Sequence, residues 1–367
     1  MTTQLLVTST PGEEVLAAAA SAAGLLDPAE RLVRVHASDD PDDVAARLGH
    51  DEVELVVGTS TLPAGRALSR RFGDARVTVL ATGASAYGPT PGPLQGRLAK
   101  RARQVLHVDL VPGLEPLLLG ERGVPRRPVP LEQVRAAAAA ALPAPGAVPD
   151  PTTLVLGRSA PWSGALDRDA QTALLVAMVE RCAEAGHSRI VLLLDADAPP
   201  KARRQLEKAA RNARADLTVS TDDGPVEAWF ALDGVGLVVG SATADLLVGR
   251  RVFSRRVAQL DSEVVLKHLD PYDDPRRTPA TLVAATVPDL RTWTATPGGE
   301  DPGTTDLAGL TSTVAYLMQP GLLVDRRSAA IGFLEAHPDL RRRFVRKRRL
   351  SELRLPGGKR KVRAQLD

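Results

Sequence analysis

Short runs of Val and Leu bounded by turn residues alternate with Ala-rich segments of helical spacing, and after one Pro-rich interruption the alternation starts again. A chain patterned in this way is confined to parallel sheets flanked by helices, because parallel strands need a long crossover and a helix supplies it. In the first half the predicted strands are 4–8, 32–36, 53–57, 76–80 and 104–110, with predicted helices over 13–25, 41–48, 63–71 and 94–103. The strong helix former LEQVRAAAAAAL then runs into PAPGAVPDP, whose four prolines in nine residues end it. After this break the strands are 153–156, 189–194, 217–220 and 235–239, and the helices 167–185, 201–213 and 242–248.

The expected organisation is therefore α/β, with two Rossmann-like doubly wound domains over 1–142 and 153–320, a linker over 143–152, and closing helices with a basic tail over 321–367. Within the last region, 325–336 and 338–350 read as helices. Ligands of open α/β sheets sit outside the carboxyl ends of the strands, so two such sheets on a hinge point to a cleft between them.

Composition removes several classes of function. No window holds the roughly 20 uninterrupted apolar residues that a spanning helix needs. The single cysteine, Cys182, excludes an internal disulfide framework and a multi-thiolate zinc site. With no Lys or Arg before the first apolar stretch, the chain lacks the start of a secretory signal, and the cytoplasm is the expected compartment. Aromatic residues make up only 3%, too few for stacking on single-stranded nucleic acid. The net charge of +3 is uneven: from 339 to 367 there are 12 Lys and Arg against three acids, while the rest carries 35 against 41. A mildly acidic body is not the footprint of a nucleic-acid binder.

The usual signatures of P-loop enzymes, dinucleotide sites, zinc hydrolases and serine hydrolases are missing, and the six histidines show no metal-ligand spacing. No metal and no organic cofactor is expected. Four segments look built for chemistry. ATGASAYGPTPGPL over 81–94 follows a strand and carries Thr82 and Tyr87; a plain βα loop reads equally well. LLLDADAPP over 192–200 places Asp195 and Asp197 where strand gives way to loop, as bases or as a helix cap. In LVVGSATADLL, Ser241 and Thr243 open a helix whose free amides favour an anion, or else simply cap it. LDPYDDPRRTPATL sets Tyr272 beside Arg276 and Arg277, a pair suited to a phosphate or to plain solvation.

Taken in order, these segments, with the N-terminal TQLLVTSTPGEEVLAAAASAAGLL, HVDLVPGLEPLLL over 107–119 and PVEAWF over 225–230, resemble the bacterial α-2,8-polysialyltransferase family, especially its actinobacterial branch. The resemblance implies a two-domain glycosyltransferase of GT-B type. The acceptor would meet the first domain at Thr82 and Tyr87, and a CMP-linked, sialic acid-like donor would be held by Gly157, Ser241, Thr243, Tyr272, Arg276 and Arg277. A cell-envelope glycan is the implied acceptor.

The chain also departs from that pattern. The family's His-Pro pair falls on Ala196 and Asp197, and its acidic residue before the glycine at Gly83 is Thr82 here. Either Asp195 and Asp197 take over the proton work, with Arg276 or Arg277 neutralising the leaving phosphate, or the fold is kept without transfer chemistry and binds a nucleotide or glycan. An epimerase-like enzyme of similar architecture is a third reading. In the tail, PDLRRRFVRKRRL sets Leu340, Phe344 and Leu350 among arginines, so residues 338–363 form a candidate peripheral contact with an anionic inner-membrane face. A closing helix packed on the acidic body is the other reading.

Overall fold

The computed structural model of the chain describes residues 2–36, 38–48, 52–141, 148–158, 162–293 and 306–359. The first lobe holds the strands β1 (Thr2–Thr8), β2 (Arg31–His36), β3 (Glu52–Gly58), β4 (Arg76–Ala81), β5 (Ala102–His107) and β6 (Arg126–Pro128), and the helices α1 (Pro11–Ala22), α2 (Pro41–Leu48), α3 (Leu62–Arg71), α4 (Arg97–Arg101) and α5 (Leu131–Ala140). Its strands are all parallel, in the order β2-β1-β3-β4-β5-β6. The connection changes direction between β1 and β3, which opens a crevice at their carboxyl ends.

The second lobe holds β7 (Thr152–Leu156), β8 (Arg189–Leu193), β9 (Asp216–Ser220), β10 (Val235–Gly240) and β11 (Arg256–Gln259). Between and after them come α6 (Arg168–Glu184), α7 (Pro200–Asn212), α8 (Val226–Phe230), α9 (Asp245–Phe253), α10 (Ser262–His268) and α11 (Arg277–Thr286). The parallel order is β11-β10-β7-β8-β9, so the switch point of this lobe lies between β7 and β10. Four helices close the chain: α12 (Leu307–Met318), α13 (Arg327–Ala336), α14 (Pro338–Phe344) and α15 (Lys347–Glu352). Two Rossmann-like doubly wound lobes with closing helices are the fold class expected from the sequence.

Local chemistry explains the element starts. Pro11 opens α1, where its missing N–H costs nothing, and the Thr10 hydroxyl accepts from the Glu13 amide at 3.3 Å. Asp167 and Asp306 cap α6 and α12 in the same way. The helix predicted over 94–103 shrinks to α4, because Gly96 is left-handed (φ +77°) immediately before it and the chain joins the sheet at Ala102.

The lobes share a buried apolar layer. Leu16 and Ala20 of α1 and Val134 and Ala138 of α5 belong to one cluster with Trp229 and Phe230 of α8 and Leu247 and Val252 of α9. This seam spans both lobes, and burial of apolar area makes it the adhesive side of the interface.

The helix predicted over 338–350 is broken at Val345 into α14 and α15, and its apolar side chains point inward. Phe344 and Leu350 are buried in the core of the second lobe, with Leu340 packed against it. Arg343 pairs with Glu263, Arg346 with Asp270, and the Arg349 Nε donates to the Leu317 carbonyl at 2.8 Å. The expected membrane-facing helix is therefore corrected to a packed closing pair, since its apolar residues are already covered. Residues 360–363 of that segment lie outside the described residues. Among the described residues no helix is long and apolar enough to cross a membrane.

Candidate active site between the lobes

The carboxyl ends of the two sheets face one another, and three glycines of the first lobe mark the approach. A Cβ on Gly83, after β4, would lie 2.9 Å from the Cβ of Ala244, which precedes α9. A Cβ on Gly88 would lie 3.2 Å from the Thr278 hydroxyl of α11, and one on Gly12 would lie 3.2 Å from Oε1 of Glu227 on α8. Polar ties flank these contacts: the Arg251 Nε donates to the Asp109 carbonyl at 3.2 Å, and Arg135 donates to the Val252 carbonyl at 2.5 Å.

On the first-lobe side, hydroxyl groups gather where β1, β3 and β4 end. The Ser9 and Ser60 hydroxyls are 2.8 Å apart, and those of Thr59 and Ser85 are 3.1 Å apart. Beneath them Glu13 is fully buried, and its carboxylate accepts from the Ser9 amide (3.0 Å), the Ser60 amide (3.0 Å) and the Ser60 hydroxyl (2.6 Å). Glu13 thus clamps the β1–α1 loop to the segment after β3. Gly58 is obligatory there, because a Cβ would sit 1.9 Å from the Glu13 Oε1.

On the second-lobe side, the switch point presents the Gly157–Arg158 turn after β7 and the 241–245 turn after β10. Gly157 is required by packing: a Cβ would lie 2.6 Å from Leu192 Cδ1 and 2.7 Å from the Leu193 carbonyl oxygen. Ser241 is fully buried and its hydroxyl is without a hydrogen-bond partner among the described residues. The Ser241 carbonyl accepts from the Trp162 indole at 2.9 Å, and the Ala242 amide donates to Ser262 Oγ at 2.8 Å. The Thr243 hydroxyl donates to Asp245 Oδ2 at 2.8 Å. Ser241 and Thr243 lie in the turn that leads into α9, which begins at Asp245 with Ala244 as its N-cap and no side-chain cap.

Two carboxylates that the sequence did not single out accompany them. Glu227 and Asp245 stand in the same field, with Arg158 near both. Burial pushes the Glu227 carboxyl up to about 7, helped by the charge of Asp245 and opposed by its backbone amide and Arg158. Burial also raises Asp245, against the Thr243 hydrogen bond and Arg158. Arg158 itself is braced by the carbonyls of Gly224 (2.9 Å) and Asp222 (2.6 Å).

The remaining expected residues are placed elsewhere or are already occupied. Tyr87 is fully buried: its hydroxyl accepts from the amides of Leu110 (3.0 Å) and Val111 (3.1 Å), which makes it a strut of the 108–111 loop and corrects its assignment to acceptor contact. Thr82 stays at the rim, its carbonyl accepting from the Ser85 hydroxyl at 2.7 Å. Arg277 is 1% exposed, and its guanidinium donates to the carbonyls of Tyr272 (2.8 Å), Leu266 (3.2 Å) and Leu269 (2.6 Å). Arg276 is held by both carboxylate oxygens of Asp274, at 3.0 and 2.6 Å, and reaches the Ser163 carbonyl.

Tyr272 is likewise corrected, its ring lying under Arg277 (4.0 Å) and Arg349 (5.3 Å) with its hydroxyl buried. The paired arginines are thus fasteners of the PYDDPRRTP loop rather than a phosphate clamp, because each nitrogen of the buried Arg277 guanidinium already donates to a backbone carbonyl.

Asp195 and Asp197 line a hollow of about 90 Å³ after β8, together with Gly157 of the switch point and with Trp162, Gln171 and Thr172. They follow the end of β8, the strand next to β7 in the sheet. No group of His, Cys, Asp and Glu suited to a metal occurs among the described residues.

No protein-family model matches the chain, and no curated protein matches it. Solved structures of low similarity do. They include MurG of Acinetobacter baumannii (12% identity, TM-score 0.39, covering 90% of this chain and 94% of that one). The UDP-bound MnaA of S. aureus is 11% identical with a TM-score of 0.43, over 88% of this chain and 98% of that one. UDP-N-acetylglucosamine 2-epimerase from Rickettsia bellii is 12% identical with a TM-score of 0.41, over 66% and 75% respectively.

Proposed function

We propose that the chain is a GT-B glycosyltransferase, resembling polysialyltransferases, that moves a sialic acid-like sugar from a CMP-activated donor to a hydroxyl of a cell-envelope glycan. The observation that carries this reading is the confrontation of two switch-point crevices. One is lined by the hydroxyls of Ser9, Thr59, Ser60 and Ser85, and the other by Arg158, Ser241, Thr243 and a carboxyl pair. The second fits an activated sugar through its arginine and the amides at the start of α9, and the first fits a polyhydroxyl acceptor. The close approach of Gly83 to Ala244 brings the two crevices together across the lobes, 2.9 Å from a Cβ built on Gly83 to that of Ala244.

A non-catalytic nucleotide- or glycan-binding role is favoured by one observation: Arg276 and Arg277, expected at the leaving phosphate, are committed to Asp274 and to backbone carbonyls. The experiment that separates the two readings titrates CMP, CMP-sialic acid and UDP-sugars against the melting temperature and measures nucleotide release with an oligosialic acid acceptor. Cytidine-selective stabilisation with acceptor-dependent release is the expected result. Stabilisation without release selects the binding role, and UDP-selective stabilisation overturns the donor assignment.

A further inference from the structure

A transfer to a hydroxyl needs a group that removes its proton, and the positions that the family resemblance assigns to that work hold Thr82, Ala196 and Asp197. Thr82 has no basic group, Ala196 has no polar atom, and Asp197 lines the hollow after β8, on the Gly157 side of the switch point. Another carboxyl lies on the face that the lobes share. We propose that Glu227 is the general base of this site and that Asp245 is the residue that tunes it.

Placement supports the assignment. Glu227 belongs to α8 of the second lobe, yet its Oε1 lies 3.2 Å and its Oε2 3.7 Å from where a Cβ of Gly12 would stand, in the first turn of α1 in the other lobe. Gly12 thus lets the carboxyl come close against the first turn of α1, where Glu227 stays partly exposed between the lobes, and among the described residues no other side chain donates a hydrogen bond to Glu227. Asp245, in contrast, receives the Thr243 hydroxyl and stands in the first turn of α9, where the helix dipole favours its charge. Of two carboxyls in one field the one whose charged form accepts a hydrogen bond ionises first, and its charge makes the other the stronger base.

The charged groups facing Glu227 are Asp245 from α9, which raises its affinity for a proton, and Arg158 from the turn after β7, which lowers it. From α1 it meets Gly12, while the neighbouring Glu13 is turned away onto Ser9 and Ser60. The resulting titration near 7 suits a base that accepts and releases a proton at neutral pH.

The step balances without a further reactant. The acceptor oxygen forms a bond to the anomeric carbon, the bond from that carbon to the phosphate oxygen breaks with its electron pair leaving on the phosphate, and the hydroxyl proton passes to the Glu227 carboxylate.

This inference rests on the transferase reading, and its test separates the two. Nucleotide release from CMP-sialic acid with an oligosialic acid acceptor is followed against pH for the wild type, Glu227→Gln and Asp245→Asn. Alongside, full-length chain labelled with ¹³C at the glutamate carboxyls is titrated.

The expected results are a Glu227 resonance with a midpoint near 7 that falls by about one unit in Asp245→Asn, a matching shift of the acid limb of kcat, and a loss of about 10²- to 10⁴-fold in kcat in Glu227→Gln with KM retained. Release that survives in Glu227→Gln, or a Glu227 midpoint indifferent to Asp245, overturns the assignment alone. Wild-type protein that releases nucleotide from none of the donors overturns the transferase reading and the base role with it.

Discussion

The backbone at Gly83 comes so close to Ala244 that a Cβ on Gly83 would stand 2.9 Å from the Cβ of Ala244, where real Cβ atoms essentially never sit. Gly83 is also left-handed, with φ at +52°. Gly83→Ala therefore carries two separable costs, the left-handed conformation at about 1–2 kcal/mol and the collision across the interface. Chemical denaturation of Gly83→Ala, Ala244→Gly and the double variant isolates them. The double variant should recover the collision part and leave the conformational part, which appears as a non-zero coupling energy.

Glu13 is itself fully buried and holds three donors, so its removal takes their partner from the Ser9 and Ser60 amides and leaves a void beside Gly58. Glu13→Ala is expected to destabilise the chain by about 2–5 kcal/mol, several times the effect of Glu14→Ala on the surface of the same helix. Urea unfolding at neutral pH gives the comparison directly.

Arg277 provides a test of role. If its guanidinium fastens the loop before α11, then Arg277→Met lowers the melting temperature by several degrees, through three orphaned carbonyls, at any nucleotide concentration. Arg158→Met should do the reverse, weakening the nucleotide-dependent rise in melting temperature more than it lowers the unliganded value.

The raised Glu227 fixes a pH dependence of stability. For a carboxyl whose folded value lies above its ordinary 4.5, the folded state binds the proton more tightly than the unfolded one. Its contribution is most favourable below pH 4.5 and is lost as pH climbs through about 7. Glu227→Gln should therefore gain stability over the wild type between pH 5 and pH 8, with the difference levelling off above about 8. Melting curves across that range check the sign, and a difference that shrinks with rising pH contradicts it.

Much of the architecture is legible in the sequence, and the reason is local. β3, β4 and β7 to β10 are apolar runs with turns at both ends, and Thr10-Pro11 and Asp167 announce their helices through capping. β6 and β11 escape that reading because they are edge strands of three and four residues, with arginine in each. α14 and α15 read as one helix because their apolar spacing is continuous, and the extended backbone at Val345 and Arg346 divides them.

The site is less legible. Ser241 and Thr243 could be placed, since a strand followed by small polar residues marks a helix start. Glu13, Glu227 and Asp245 could not, because an acid in the first turn of a helix reads as ordinary capping until the tertiary fold shows what faces it. Tyr272, Arg276 and Arg277 misled for the converse reason: nothing in PYDDPRRTP tells that its guanidinium groups turn back on their own loop.

The most direct test of the central claim is amide hydrogen exchange of the full chain with and without saturating CMP. Binding at the second-lobe switch point predicts slowed exchange at 157–158 and 241–247, with a smaller effect at 9–13 where the lobes meet. Unchanged exchange in these three segments, or protection confined to another face of the chain, would contradict the placement of the nucleotide between the lobes.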